Sequence, residues 1–418
     1  DYPNYTKGNK TMRKACEEIL HNPRMLMGWV EEANRNDSLI PLTKDYKAYN
    51  DYTLPDGRIV ALWKNALTSL SSDGGRTWLQ PVNRAQGFVN SNAKIWGQHL
   101  SDGTYATVYN PSEYRWPLAI SLSADGLNYT TLNLVNGEVP PMRYGGNYKS
   151  YGPQYVRGIQ EGMGEPKDRD LWVAYSMNKE DIWVSRIPVP VETEAHAQAN
   201  DDFTRDRSLA DLTQWNIYSP KMAPVGLEGK WLTLSDEDPF DYARLDRKIP
   251  ATKELTVSFD LEAEQNHNGL LQIEFMDRNG ISASRIELTA QGEMRGKGGA
   301  RYGHLIDYQA GRTYHVEVCL SVSNRMATFY VDGKEVGKRM FYAPVHSFER
   351  VMFRTGSERT FPDVDTPADW DGILPGAGAT DSLAVYKIAN FKTSSTDADE
   401  GAAFLKADDY KHYVDEFN

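Results

Sequence analysis

The sequence predicts an all-β protein in which a β-propeller is followed by a jelly-roll β-sandwich. Three observations support this prediction. A strand–turn–strand unit recurs three times in the first half, a glycine-rich turn follows one of these units, and long strands of alternating apolar and polar residues fill the second half. The expected organisation is propeller blades over residues 1–191, a linker over 192–201, the sandwich over 202–396 and a charged tail over 397–418.

The repeated unit consists of two strands around a turn, and its second strand ends at an asparagine. Asp56-Gly57 and Asp102-Gly103 are typical two-residue hairpin turns, whereas the third unit has a longer polar insert. The second strands end at Asn65, Asn110 and Asn178, and a third strand follows each of them. We therefore expect three antiparallel blades, each with four strands, between about residue 45 and residue 191.

Three blades are too few to close a ring, since propellers typically have four to eight. Either further blades are too irregular to recognise, or an N-terminal portion of the propeller is missing. We favour the second explanation, because the first residue is Asp1 and not Met. Before residue 45, Thr11–Leu20 predicts a helix and Arg24–Glu31 is a candidate strand.

The glycine-rich turn, Ser71–Trp78, reads S-S-D-G-G-R-T-W. Its two glycines permit positive φ angles, and Asp73 and Thr77 are suited to hydrogen bonds with the turn backbone. Trp78 is expected to fold into the blade and bury a large apolar area. A shorter version with Tyr in place of Trp, Ser123–Tyr129, follows the second unit.

This S-x-D-x-G-x-T-W pattern is similar to the Asp-box of BNR repeats, and residues 20–191 resemble a sialidase-like propeller. The second half contains the segment Arg325–Val336, R-M-A-T-F-Y-V-D-G-K-E-V, and resembles a laminin-G or concanavalin-A-like sandwich. The resemblance implies an exo-acting glycoside hydrolase, secreted or periplasmic, that releases a terminal anionic sugar from a glycan or polysaccharide. Two alternatives remain open: a non-catalytic, lectin-like carbohydrate-binding protein, and a polysaccharide lyase on the same scaffold.

Composition narrows the possible partners. The formal net charge of −12, without a basic stripe, argues against nucleic acid. No run of 18 apolar residues is present, so no membrane span is expected. Cys16 and Cys319 are expected to be two separate thiols, and no group of His, Cys and carboxylates has the spacing of a zinc site. The resemblance implies a carbohydrate partner, and we expect neither a metal nor another cofactor.

In the sialidase-like architecture, the active face carries the loops that lead into the first strand of each blade and those that join the second strand to the third. The Asp-box lies on the opposite face. The loop from Arg143 to Arg157 is the densest in cations and phenols. The site residues that we expect from these two sets of loops are Asn65, Lys94, Asn110, Glu113, Arg115, Arg143, Tyr144, Lys149, Tyr155, Arg157, Asn178 and Glu180.

Sialidase-type hydrolysis implies an arginine cluster for the substrate carboxylate, a tyrosine nucleophile activated by a glutamate, and an aspartic acid. Arg115, Arg143 and Arg157 are the candidates for binding the carboxylate, because arginine pairs with it bidentately. The candidate nucleophiles are Tyr144 and Tyr155, and the candidate partners are Glu113, Glu161 and Glu180. Lys94, Lys149 and the asparagines at 65, 110 and 178 are expected to bind substrate. The early Arg-Ile-Pro segment and the Asp acid of sialidases are not visible, so the sugar and the mechanism stay open.

Overall fold

The computed structural model describes residues 4–29, 46–89, 91–145, 150–359 and 376–396. The described residues form two compact units, one up to Glu192 and one from Thr193 onwards. Strands dominate both units, which confirms the predicted all-β class. Short 3-10 turns lie at Tyr5–Lys7, Lys64–Ala66 and Leu209–Asp211.

The chain begins with two helices, α1 (Lys10–His21) and α2 (Pro23–Trp29). The helix predicted at Thr11–Leu20 is thereby confirmed. The strand proposed for Arg24–Glu31 is wrong over its described part. The side chain of Asn22 accepts the backbone N–H groups of Arg24 and Met25, at 3.1 and 3.2 Å, and so starts a helix in which proline occupies the first position.

Three antiparallel meanders follow, each with its strands in chain order. Their strands are β1 (Asn50–Thr53), β2 (Ile59–Trp63), β3 (Leu67–Ser71) and β4 (Asn83–Arg84); β5 (Trp96–His99), β6 (Tyr105–Tyr109), β7 (Leu118–Ser123) and β8 (Asn133–Asn136); and β9 (Pro153–Arg157), β10 (Leu171–Met177) and β11 (Asp181–Ile187). The first two sheets have the four strands expected of a blade. In the described residues the third has three, one fewer than predicted.

Consecutive blades pack against each other through apolar side chains. One cluster joins the first blade to the second and includes Leu62, Ile95 and Tyr109, all fully buried. A second cluster joins the second blade to the third and includes Val108 and Val173. This face-to-face packing of successive meanders is the arrangement of a propeller.

The Asp-box turn forms as the sequence predicts. The Asp73 carboxylate accepts hydrogen bonds from Ser71 Oγ at 2.7 Å, from the Thr77 backbone N–H at 2.9 Å and from Thr77 Oγ1 at 2.6 Å. These bonds, with that from Thr77 Oγ1 foremost, hold the pKa of Asp73 well below its usual range. Trp78 packs against Trp63 with ring centroids 5.3 Å apart. Asp125 organises the shorter second turn in the same way, with the backbone N–H groups of Leu127 and Asn128 each at 2.8 Å.

The second unit contains the remaining strands. They are β12 (Asn200–Asp201), β13 (Trp215–Tyr218), β14 (Val225–Glu228), β15 (Trp231–Asp236), β16 (Arg244–Thr252), β17 (Glu254–Ala263), β18 (Leu271–Met276), β19 (Ser282–Leu288), β20 (Glu293–Gly298), β21 (Arg301–Asp307), β22 (Thr313–Ser321), β23 (Met326–Val331), β24 (Lys334–Met340), β25 (Phe348–Thr355) and β26 (Ala384–Ser395). All pairings between them are antiparallel.

These strands make two sheets with a common apolar core. One sheet has the order β14-β15-β26-β17-β22-β23-β24, with β12 also paired to β26, and the other has the order β13-β16-β25-β18-β19-β20-β21. Phe259 and Phe391 from the first sheet meet Phe353 from the second, with centroids 5.2 and 6.0 Å away. Alternation at period two thus buries one face of each sheet, as expected for a sandwich. The segment predicted as a linker, 192–201, ends in β12.

Candidate active site

Tyr155 lies on the first strand of the third blade, at a point where this strand carries an extra residue. Gln154 pairs with Ser176 and Arg157 with Ala174, so two residues of β9 oppose the single residue Tyr175 of β10. Tyr155 has a φ of +61° and is 38% exposed, whereas Gln154 and Val156 on either side are buried. The bulge therefore turns the tyrosine outwards, at a conformation that costs about 1–3 kcal/mol for a residue with a Cβ.

Three cationic side chains surround the Tyr155 ring. The Arg115 guanidinium carbon, Lys94 Nζ and Lys179 Nζ lie 5.5, 5.7 and 5.8 Å from its centroid. Arg115 Nη1 also donates a hydrogen bond to the phenol oxygen at 3.1 Å. Lys94 precedes the first strand of the second blade, while Arg115 and Lys179 follow the second strands of the second and third blades. Both of the predicted sets of loops thus meet at this tyrosine.

The cations change the acidity of the phenol. Partial burial alone would raise the pKa of Tyr155, but the hydrogen bond from Arg115 and the positive charges of Lys179 and Arg115 outweigh it and lower the pKa below its usual value. A tyrosine that ionises more readily than usual is a better nucleophile or base at neutral pH.

Arg115 is held by neutral partners. Its Nε donates to Asn92 Oδ1 at 3.2 Å, and its Nη1 donates to Gln154 Oε1 at 3.1 Å as well as to Tyr155. The Asn92 amide in turn donates to the backbone carbonyl of Glu113 at 2.5 Å, which fixes the loop before Arg115. Among the described residues Arg115 forms no ion pair, so its charge is positioned but not neutralised.

Arg143 has the opposite environment. Its Nη2 meets Asp181 Oδ2 at 2.5 Å and its Nε meets Glu180 Oε2 at 3.4 Å. The Glu180 carboxylate also accepts the backbone N–H groups of Arg143 and Tyr144, each at 3.0 Å. The Tyr144 ring is 63% exposed and lies 5.4 Å from the Arg143 guanidinium carbon. Through these contacts, Arg143 and Glu180 fix the backbone at the start of Tyr144.

The asparagines at the strand ends bridge backbone groups. Asn110 Nδ2 donates to the carbonyls of Pro117 and Pro153 at 2.9 and 2.7 Å. Asn178 Oδ1 accepts the N–H of Gly152 at 2.8 Å, and its Nδ2 donates to the carbonyl of Pro140 at 2.6 Å. Both are buried and brace the start of β9, whereas Asn65 is exposed.

Two expected site residues remain, Arg157 and Lys149. Arg157 ends β9, is half-buried and pairs with Ala174. Lys149 lies outside the described residues. Lys179 and Gln154 were missed as individual site residues, although Lys179 directly follows Asn178 in a loop that was expected on the active face.

A second ionic cluster involves helix α2 and was also missed. Arg24 binds both oxygens of the buried Asp51 carboxylate, at 2.6 and 2.9 Å, and Tyr49 donates to the same group at 2.5 Å. Glu161 accepts from Arg24 at 3.2 Å and from the Thr53 backbone N–H at 2.9 Å. Burial and the Asp51 charge raise the pKa of Tyr49. Through these contacts Glu161 binds Arg24 of helix α2 and Thr53 of the first blade, and not Tyr144 or Tyr155.

Comparison with known protein families gives three matches along the chain. A model of an N-terminal beta propeller matches residues 1–46, the BNR repeat-like domain matches 52–164, and the sialidase-like CBM domain matches 215–370. The search of curated proteins gave no match. In the described part of the chain, no helix combines the length and the apolar character needed to cross a membrane.

Among solved structures, a sialidase matches at 66% identity and a TM-score of 0.92, over 100% of this chain and 39% of its own. A structure of endo-acting O-glycanases from the human gut microbiota matches at 14% identity and a TM-score of 0.36, over 48% of this chain and 99% of its own. The apo Crh5 transglycosylase matches at 13% and 0.36, over 49% and 86%. The chain thus spans well under half the length of the sialidase that it matches. The first unit thus matches a BNR repeat-like model and the second a sialidase-like one, and the chain is similar to a sialidase over its whole described length.

Proposed function

We propose that the protein is an exo-acting, sialidase-like glycoside hydrolase that releases a terminal anionic sugar from a glycan. The observation that carries this proposal is the group of three cations around Tyr155. A sugar carboxylate that approaches this ring would meet positive charge on several sides. We expect such an enzyme to be secreted or periplasmic, where glycans are accessible.

Arg115 is the best candidate for binding the carboxylate. It is held in place by Asn92 and Gln154 through neutral oxygens, so its charge remains available to a ligand. Arg143 already faces two carboxylates and is the weaker candidate. The ammonium groups of Lys94 and Lys179 lie near the same tyrosine ring, and their positive charge would strengthen the attraction of an anion.

Tyr155 is the candidate nucleophile. Its phenolate would attack the anomeric carbon while the glycosidic C–O bond breaks and an acid gives a proton to the leaving oxygen; water would then hydrolyse the glycosyl–tyrosine bond. Glu113, two residues before Arg115 on the same loop, is the candidate glutamate that activates this tyrosine.

A lyase is the second candidate function, and the same cations favour it. A phenolate of lowered pKa is also suited to removing the proton next to a uronate carboxylate, whose charge Arg115 would neutralise. The two reactions differ in their products, because hydrolysis adds water and elimination leaves an unsaturated sugar.

The test is to incubate the protein with glycans that end in sialic acid, other ulosonic acids, uronic acids or neutral sugars and to identify the products. We expect release of an anionic sugar and a loss of about 10³-fold or more in kcat for Tyr155→Phe, which lacks the reacting oxygen. Tyr114→Phe is the matched control, since Tyr114 lies in the Arg115 loop with 84% of its surface exposed. An unsaturated product would favour the lyase. Binding without turnover would favour the lectin-like alternative, and release of neutral sugars alone would contradict the anionic substrate.

A further inference from the structure

The outer face of the seven-stranded sheet carries two adjacent rows of polar side chains. Strand register places Arg354, Gln272, Glu287 and Arg295 in one row, and Glu274, Arg285, Lys297 and Tyr302 in the next. The alternate residues of the same strands, such as Ile273, Ile286 and Met294, belong to the apolar core. This face therefore points away from the other sheet.

The two carboxylates of these rows lie beneath arginines. Glu274 and Glu287 are 2% and 3% exposed. Arg285 Nη2 meets Glu274 at 2.5 Å, and Arg295 Nη2 meets Glu287 at 2.8 Å. Arg354 also approaches Glu274, at 3.7 Å. Four cations, counting Lys297, thus face two carboxylates, which leaves two positive charges in excess.

Lys297 is the cation without an acidic partner. Its Nζ lies 4.1 Å from the centroid of Tyr342 and 5.9 Å from that of Tyr302. Among the described residues it forms no ion pair. The Tyr302 hydroxyl is fixed by donating to Glu287 at 2.6 Å and accepting from Arg285 Nη1 at 3.1 Å. A half-buried ammonium thus lies beside two tyrosine rings, one of which is locked in place.

We propose that this patch, formed by Arg285, Arg295, Lys297, Tyr302 and Tyr342, binds a carboxylate-bearing sugar. Lys297 and the exposed part of Arg295 supply the charge, and the tyrosine rings supply apolar surface for the sugar ring. The whole chain carries a net charge of −12, so a local excess of positive charge is not a general property of its surface. Sugar binding at this patch would not require that Tyr155 be catalytic.

The experiment measures binding by calorimetry to a glucuronate trisaccharide and to its carboxyl-reduced form, which is neutral. The full chain with Arg115→Gln is used as the background, so that the propeller site contributes little to anion binding. We expect the acidic trisaccharide to bind at least about 10-fold more tightly than the neutral one, and the affinity to fall as salt is raised. Sialyllactose and lactose form a second pair, which distinguishes a sialic acid from a uronic acid as the source of the carboxylate.

Lys297→Met removes the charge and retains an unbranched chain against Tyr342. We expect it to lower the affinity for the acidic sugar about 10-fold or more. Lys230→Met is the matched control, because Lys230 also lies over an aromatic ring, 4.8 Å from the Trp231 centroid, in the turn that joins β14 to β15 of the other sheet. If Lys297→Met folds poorly, Lys297→Gln replaces it. Equal binding of acidic and neutral sugars, or equal loss in the Lys297 and Lys230 variants, would overturn the proposal whether or not the protein hydrolyses glycans.

Discussion

Strand β7 has two very different loops at its ends, and the contrast separates what builds the blade from what forms the site. The Asp-box turn that begins at Ser123 is organised by Asp125, whose hydrogen-bond partners lie at most three positions away in the chain. The loop before Leu118 places Arg115 against residues 23, 39 and 40 positions away. The carboxylate at one end is satisfied within its own turn, whereas the guanidinium at the other end is held partly by the next blade. A recurring motif therefore identifies the fold, while the residues suited to chemistry lie in loops that do not repeat.

The largest effect that would sharpen this comparison is expected for Arg115, in the proposed active site. For Arg115→Gln we expect a loss of about 2–4 kcal/mol of transition-state stabilisation for an anionic substrate, roughly 30- to 900-fold in kcat/KM, because the positioned charge is lost. Arg115→Lys should recover part of this activity, since lysine keeps the charge but not the forked geometry. The measurement is steady-state kinetics, with thermal melting as a check of folding.

Arg143→Gln is the informative control for that variant. Because Arg143 is tied to Glu180 and Asp181, we expect it to lower Tm more than Arg115→Gln does. Equal losses of activity without a change of Tm in both variants would show that the two arginines have the same role.

An intermediate effect, on thermal stability, is expected for the Asp-box turn of the first blade. Asp73→Ala removes the acceptor for Ser71 and for both the backbone and the hydroxyl of Thr77, so the turn should loosen. We expect a fall of about 2–4 °C in Tm, with kcat per folded molecule unchanged. Asp73→Asn, which keeps one acceptor oxygen, should be less affected. A large loss of kcat at unchanged Tm would contradict the separation of the two faces.

The smallest effect concerns the ionisation of Tyr155. Its folded pKa is lowered, so the native state loses this proton before the unfolded chain does, and the free energy of unfolding should rise with pH just below the usual tyrosine pKa of about 10. The ultraviolet titration curve of the wild-type protein, after subtraction of the curve of Tyr155→Phe, should show one phenol that ionises below that value. A difference curve centred above pH 10 would mean that burial outweighs the cations.

The same contrast explains how much the sequence could predict. The Asp-box is encoded in eight consecutive residues, so its hydrogen bonds could be anticipated in detail. The surroundings of Tyr155 come from Lys94, Arg115 and Lys179, and only their shared type of loop could be inferred. The neutralisation of Arg143 could not be seen, because Glu180 lies 37 positions away. The bulge is also invisible in the sequence, since a strand of five residues is too short for a break in alternation to show.

The extra residue at Tyr155 means that the outward position of this tyrosine depends on the number of residues in β9. If one residue were deleted there, β9 could pair with β10 without interruption, and the sheet would keep its ladder while the tyrosine lost its outward position. Insertions and deletions, more than substitutions, would then be the changes by which related blades gain or lose this tyrosine. Under the proposed function, one residue of chain length would thus separate a purely structural blade from one that presents the candidate nucleophile.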